Sequence, residues 1–257
     1  MSEMQNNPKG VFNSTAASAE ALARRLALFI LIFAAYVVMT RLSSLHFSYS
    51  IIPFRLHLSP PLVHLFEHHV WEFAVGMGAI AVFSRGNLWS YGINALNIRQ
   101  SMYVLWRFYF AALIVIGVVI AVPLVHAELM PSYLLGANAA TMVGWIVFEW
   151  LATAVADEIF FHGFCQTLIA KYWKNILSVG TIEIPFSVIA STALFTVGRS
   201  NVPVYGNPAV EYLFAALLGF YTGMVYYKTR SLLAPMLSQA FFYGMPFVVR
   251  YLWMVWK

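Results

Sequence analysis

Asp157, Glu158, His162 and Cys165 lie close together in an otherwise apolar stretch, residues 141–173 (TMVGWIVFEWLATAVADEIFFHGFCQTLIAKYW), which also carries Glu149. Carboxylates and an imidazole are the groups of general acid–base hydrolysis. A charge at bilayer depth costs at least ~2.5 kcal/mol on insertion scales, so charges in an apolar span mark a functional site. Wound as an α-helix, the polar residues fall into two stripes. Glu149, Thr153 and Asp157 recur at i, i+4, i+8, and Glu158, His162, Cys165 and Gln166 at i, i+4, i+7, i+8. The stripes sit about 100° apart and make one polar wedge on an apolar rod. Lipid would penalise that wedge, so it is expected to face other helices or a wet cavity.

Two later stretches carry polar residues at matching spacing. In STALFTVGRS, Thr192, Thr196 and Arg199 share a helical face; in SLLAPMLSQAFFYG, Gln239 and Tyr243 stand one turn apart, with Pro235 a turn earlier. Arg199 needs a carboxylate if it lies in an apolar surround, and Asp157 and Glu158 are its obvious partners.

These residues must be positioned by a chain of unusual composition. Of 257 residues, 61% are hydrophobic and 10% charged, and the mean hydropathy is +0.74. Soluble domains carry about 25% charged residues, so the composition predicts a multi-pass membrane protein with little room for a soluble domain. The net charge of +5 fits loop charge and lipid-headgroup contact; no basic cluster is interleaved with aromatics, so nucleic acid is not an expected partner. The single cysteine, Cys165, excludes an internal disulfide.

The predicted fold is an all-α polytopic bundle of about seven transmembrane helices. Residues 1–21 read as a polar, disordered tail, and no cleavage pattern follows the first apolar run, which is expected to stay as an anchor. Spans are expected at about Leu22–Leu42, Leu62–Phe83, Phe108–Val125, 141–173, Ile184–Arg199, Val210–Tyr227 and Leu232–Trp256, with Pro235 and Pro246 as kinks and irregular or short helical segments between. With the N-terminus inside, inside segments carry ten Lys and Arg residues and outside segments five, which favours a cytoplasmic N-terminus.

The three polar stretches resemble, in order and spacing, the motifs of the CPBP group of intramembrane proteases, which includes type II CAAX prenyl proteases and bacteriocin-processing and self-immunity proteins. The family's Glu-Glu-x-x-x-Arg is here Asp157-Glu158-Ile159-Phe160-Phe161-His162, followed by Gly163-Phe164. Its Phe-x-x-x-His is here Phe195-Thr196-Val197-Gly198-Arg199. Its third motif, His-x-x-x-Asn or Asp after Ser-Leu-x-Ala-Pro, is here Gln239-Ala240-Phe241-Phe242-Tyr243 after Ser231-Leu232-Leu233-Ala234-Pro235. The resemblance covers roughly residues 85–245, the CPBP-like core of a transmembrane domain spanning 22–257. Flanks match well and chemical residues poorly; Glu158 alone is unchanged.

What the resemblance implies is a glutamic-type peptidase that needs no cofactor. In the family the first Glu and the second-motif His activate water, and the third-motif pair binds the oxyanion. Here Arg and His have exchanged places between the first two motifs, so a pocket packed as in the family would still hold two carboxylates, a His, an Arg and two donors. The implied site is Glu158 working with His162, supported by Asp157, with Arg199, Gln239 and Tyr243 binding carbonyl or oxyanion. Its substrate would be a peptide bond in a membrane-associated peptide or membrane protein at the bilayer. The family's breadth points to a bacterial inner membrane. The alternative is a catalytically inactive scaffold or regulator that binds another membrane or envelope protein, with Arg199 neutralising the carboxylates.

Two weaker signals stand apart. His64-Leu65-Phe66-Glu67-His68 matches the H-x-x-E-H zinc pattern, with Glu72 one turn on as a further carboxylate; a short match beside a Pro-rich loop is more often interfacial histidine than zinc. Cys165 one turn from His162 allows a Cys–His pair to be drawn, against the ordinary reading of a small residue lining a helix contact.

Overall fold

The computed structural model describes residues 20, 23–24, 27–28, 30–38, 60–94, 97–107, 139–199 and 208–256. The expected third span, Phe108–Val125, and nearly all of the expected N-terminal tail lie outside them. The chain divides into two units, Met1–Val38 and Met39–Lys257. In the first, the described residues between 20 and 38 are helical, and Arg24 meets Glu20 one turn away at 2.5 Å. Both side chains of that pair are about two-thirds exposed, so it contributes little.

The second unit is a helical array built on one long rod. Its elements are α1 (Pro60–Ser84), a 3-10 turn (Leu88–Tyr91), the rod, a hairpin, α5 (Phe186–Arg199), α6 (Pro208–Thr229) and α7 (Leu233–Trp256); residues 98–107 are also helical. The rod is the expected helix, but its winding changes along its length. It runs α2 (Ala139–Val147), π1 (Phe148–Thr153), α3 (Ala154–Asp157), π2 (Glu158–Gln166) and α4 (Thr167–Tyr172). π winding is rare and recurs at functional sites, because the wider turn re-aims side chains and leaves backbone carbonyls differently placed. Here π2 opens on Glu158 and closes on Gln166, the span of the second polar stripe.

The long helices α1, α5 and α7 each pack against the rod. α1 packs on α3 and π2, α5 on π2 and α6, and α7 on α2 and π1. On α5, Ser187, Ser191, Phe195 and Arg199 recur every fourth residue and are all buried, so one stripe of that helix faces inward. α1 reaches the rod closely because Gly76 has no side chain: a Cβ there would lie 3.3 Å from Phe160 Cα.

α6 approaches the rod through Gly219 and Gly223, a small-xxx-small pair that brings helix backbones together. A Cβ on Gly219 would meet the Phe195 ring at 2.8 Å, and one on Gly223 would lie 3.2 Å from both His162 Nε2 and Gln166 Oε1. Gly219→Ala is therefore expected to cost about 1–3 kcal/mol through forced repacking. Thermal unfolding of the detergent-purified protein checks this; an unchanged midpoint would show that the α6 approach has slack.

The segment between rod and α5 departs from expectation. In place of irregular or short helical structure it forms an antiparallel hairpin, β1 (Ile176–Val179) with β2 (Ile182–Pro185), pairing Leu177 with Ile184 and Val179 with Ile182. Gly180 takes φ +61° at the turn, which a branched residue would resist, and the alternating Ile, Leu and Val suit a pleated strand. Leu177, Val179 and Ile182 share a face and stay more than half exposed.

The helices stand where the expected spans do, yet among the described residues no helix is long and apolar enough to cross a membrane. α1 shows why in one case: its apolar run is interrupted by Glu67, His68, His69 and Glu72.

Candidate active site

Asp157 is the hub. It ends α3, is buried, and receives groups from three other helices. Arg199, at the end of α5, places Nε 2.9 Å from Asp157 Oδ2. Gln239 of α7 donates Nε2 to the same oxygen in a short hydrogen bond. The second oxygen, Oδ1, lies 3.4 Å from Nδ1 of His69 on α1, and that nitrogen is 2.8 Å from Glu72 Oε2. Tyr243, one turn beyond Gln239, lays its ring under Arg199, with the guanidinium carbon 4.0 Å from the ring centroid. A cation over an aromatic face in a desolvated setting is worth about 2 kcal/mol. All six side chains are buried.

Glu158 begins π2 and has a different partner. Its Oε2 is 2.8 Å from Nδ1 of His162, and both residues are fully buried. His162 Nε2 lies 3.2 Å from the carbonyl oxygen of Gly219, which can only accept, so that nitrogen carries a hydrogen. One further proton then belongs to Nδ1 and Glu158 together, either on the ring opposite a carboxylate or on the acid opposite a neutral ring. The other oxygen of Glu158, Oε1, is buried and has no hydrogen-bond partner among the described residues. A turn further on, Gln166 donates to Gly223 O at 2.9 Å and accepts from Ser191 Oγ at 3.2 Å. The glycine pair on α6 thus exposes the two carbonyls that the rod's second stripe needs.

The six residues singled out from the sequence therefore form two groups. Asp157, Arg199, Gln239 and Tyr243 converge, and Glu158 pairs with His162. The imidazole beside Asp157 is not His162, however, but His69, and its companion carboxylate is Glu72. Sequence reasoning placed Glu72 only as a further zinc carboxylate and gave His69 no role. The signal that finds both is the one used for the rod: ionisable residues inside an apolar helix, here at i and i+3. Of the H-x-x-E-H segment, Glu67 is buried and His68 half-buried, while the His64 side chain lies outside the described residues, as does that of Glu149. Cys165 is buried in the rod, as the ordinary reading has it.

This geometry can do hydrolytic chemistry. A carboxylate with open lone pairs, backed by an imidazole, can accept a proton from water, and a guanidinium with an amide can stabilise negative charge on oxygen. No curated protein and no solved structure matches the chain. A family model does match, over residues 138–245, the stretch that holds the rod, α5, α6 and the Gln239–Tyr243 turn of α7. The segment that carries Asp157, Glu158, His162, Arg199, Gln239 and Tyr243, though not His69 and Glu72, is similar to the Rce1-like, type II CAAX prenyl endopeptidase family.

Proposed function

We propose that the chain is an intramembrane endopeptidase that hydrolyses a peptide bond in a membrane-associated peptide or membrane protein. One observation carries the reading: Glu158 is fully buried, sets one carboxylate oxygen against His162, and keeps the other without a hydrogen-bond partner among the described residues, one residue from the Asp157–Arg199–Gln239 cluster. A buried carboxylate with unfilled acceptor sites is costly to keep for structure alone. As a general base it is what the reaction requires.

In the proposed mechanism a water hydrogen-bonded to Glu158 attacks the scissile carbonyl carbon. Glu158 takes the water's proton, with His162 balancing the charge, while the carbonyl π pair moves onto oxygen. Arg199 and Gln239 lie on the neighbouring residue's carboxylate and supply donors toward that oxyanion, with Tyr243 holding the guanidinium from below. Collapse breaks the C–N bond, and the proton on Glu158 passes to the departing amine. The water enters as an acid component of one product and an amine proton of the other, so the balance closes without a further reactant.

The similarity to a membrane-embedded family and the overall composition support a multi-pass placement, with the N-terminus cytoplasmic from the distribution of Lys and Arg. A bacterial cell membrane remains part of the proposal. N-terminal peptide profiling of membranes from cells with and without the protein tests the reading. New N-termini are expected only when the protein is present. Identical profiles would turn the function to binding and scaffolding of a partner.

A further inference from the structure

His69, Glu72 and Asp157 do not take part in the proton transfers described above, yet they make the densest cluster of metal-ligating atoms among the described residues. One ligand atom from each lies within 4.8 Å of the other two, and all three residues are buried. We propose that His69, Glu72 and Asp157 form a binding site for one divalent transition-metal ion, with Arg199 and Gln239 holding Asp157 from behind. The inference does not rest on the peptidase reading.

Spacing is the first support. Ligand atoms 2.0–2.2 Å from a tetrahedral ion lie about 3.3–3.6 Å apart, and cis ligands of an octahedral one about 3 Å apart. His69 Nδ1 is 3.4 Å from Asp157 Oδ1 and 2.8 Å from Glu72 Oε2. Both contacts of His69 are therefore already near ligand spacing, with the Glu72 and Asp157 atoms within 4.8 Å of each other, and an ion needs the His69–Glu72 contact to open only slightly.

Charge is the second. Two carboxylates against one guanidinium leave one uncompensated negative charge in a buried place. A proton shared among His69, Glu72 and Asp157 can balance it, and so can a divalent ion that carries a hydroxide.

The surround is the third. Arg199 and Gln239 both engage Oδ2 of Asp157 and leave Oδ1 toward His69, the division between orienting partners and metal that ligating carboxylates need. The oxygen of the Gln239 amide is buried, has no hydrogen-bond partner among the described residues, and sits one amide's width from that contact. One imidazole with two carboxylates and an amide oxygen suits Zn²⁺, Mn²⁺ or Fe²⁺ over the softer ions that prefer thiolates.

Co²⁺ serves as the probe. Full-length protein purified in detergent, stripped with chelator and titrated with Co²⁺ alone, is expected to develop a visible absorption band that saturates at one equivalent. His69→Gln and Glu72→Gln should each weaken binding at least 10-fold, and a His64→Ala/His68→Ala double variant should bind as the parent does. Zn²⁺ should raise the melting midpoint of the parent, and chelator should reverse the rise. The proposal is overturned by a parent with no saturable band and no shift. It is equally overturned if the band survives the His69 and Glu72 substitutions, or is lost with His64 and His68. Should those single variants not fold, X-ray absorption of the Co²⁺-loaded parent decides: one imidazole among oxygen ligands is expected, and two or more would refute the site.

Discussion

Glu158→Gln is expected to lower peptide cleavage by about 10²–10⁴-fold, the usual worth of a positioned general base. The substitution is nearly isosteric, so the side chain still fills the buried place beside His162 Nδ1, now 2.8 Å from Glu158 Oε2. What it removes is the ability to accept a proton. Glu158→Asp keeps that ability and withdraws the carboxylate by one methylene, and a misplacement of about 1 Å can cost 10²-fold. Gln and Asp variants should therefore both be strongly impaired for different reasons, while abundance stays at the parent level. The measurement is N-terminal peptide profiling of membranes at matched protein abundance, comparing parent, deletion and Gln variant. Products that persist in the Gln variant would remove Glu158 from the chemistry.

The largest stability effect is expected at Arg199. Breaking a buried ion pair by removing one partner costs about 3–5 kcal/mol, because the remaining charge is left buried and uncompensated. Arg199→Met removes the guanidinium whose Nε stands 2.9 Å from Asp157 and whose carbon lies 4.0 Å over the Tyr243 ring. Adding Asp157→Asn should recover part of the loss, since the neutral amide no longer needs a cation. The recovery will be incomplete, because Asp157 also faces His69 and Gln239. Denaturant unfolding in detergent micelles over the four-member cycle gives the coupling energy. A double variant no more stable than Arg199→Met would mean that the Arg199–Asp157 pair is not where the stability lies.

How far the sequence could be read follows from which signals are local. The rod, α5, α6 and α7 were legible because apolar runs and helical spacing act within one element. Asp157, Arg199, Gln239 and Tyr243 could be expected to meet because their order and spacing follow motifs whose packing the family resemblance supplies. The π winding was not legible: α spacing put Glu158, His162 and Gln166 on one stripe, and nothing in a residue count reveals a wider turn. His69 was missed because its role appears only when Gly76 lets α1 settle on Phe160, a contact across 84 residues of chain. The hairpin was missed because its strands are only four residues each and sit between two helices.

The two wide turns of the rod also fix where this protein can change length. An i→i+5 turn holds one residue more than an i→i+4 turn needs. Deleting one residue inside 148–153 or 158–166 lets that stretch close with α winding, and its flanks keep their facing. The same deletion within α1 would swing everything beyond it by about 100° and carry His69 and Glu72 away from Asp157. Single-residue gaps among related chains should therefore collect in the wide turns, and a family alignment that spreads them through α1 would contradict this.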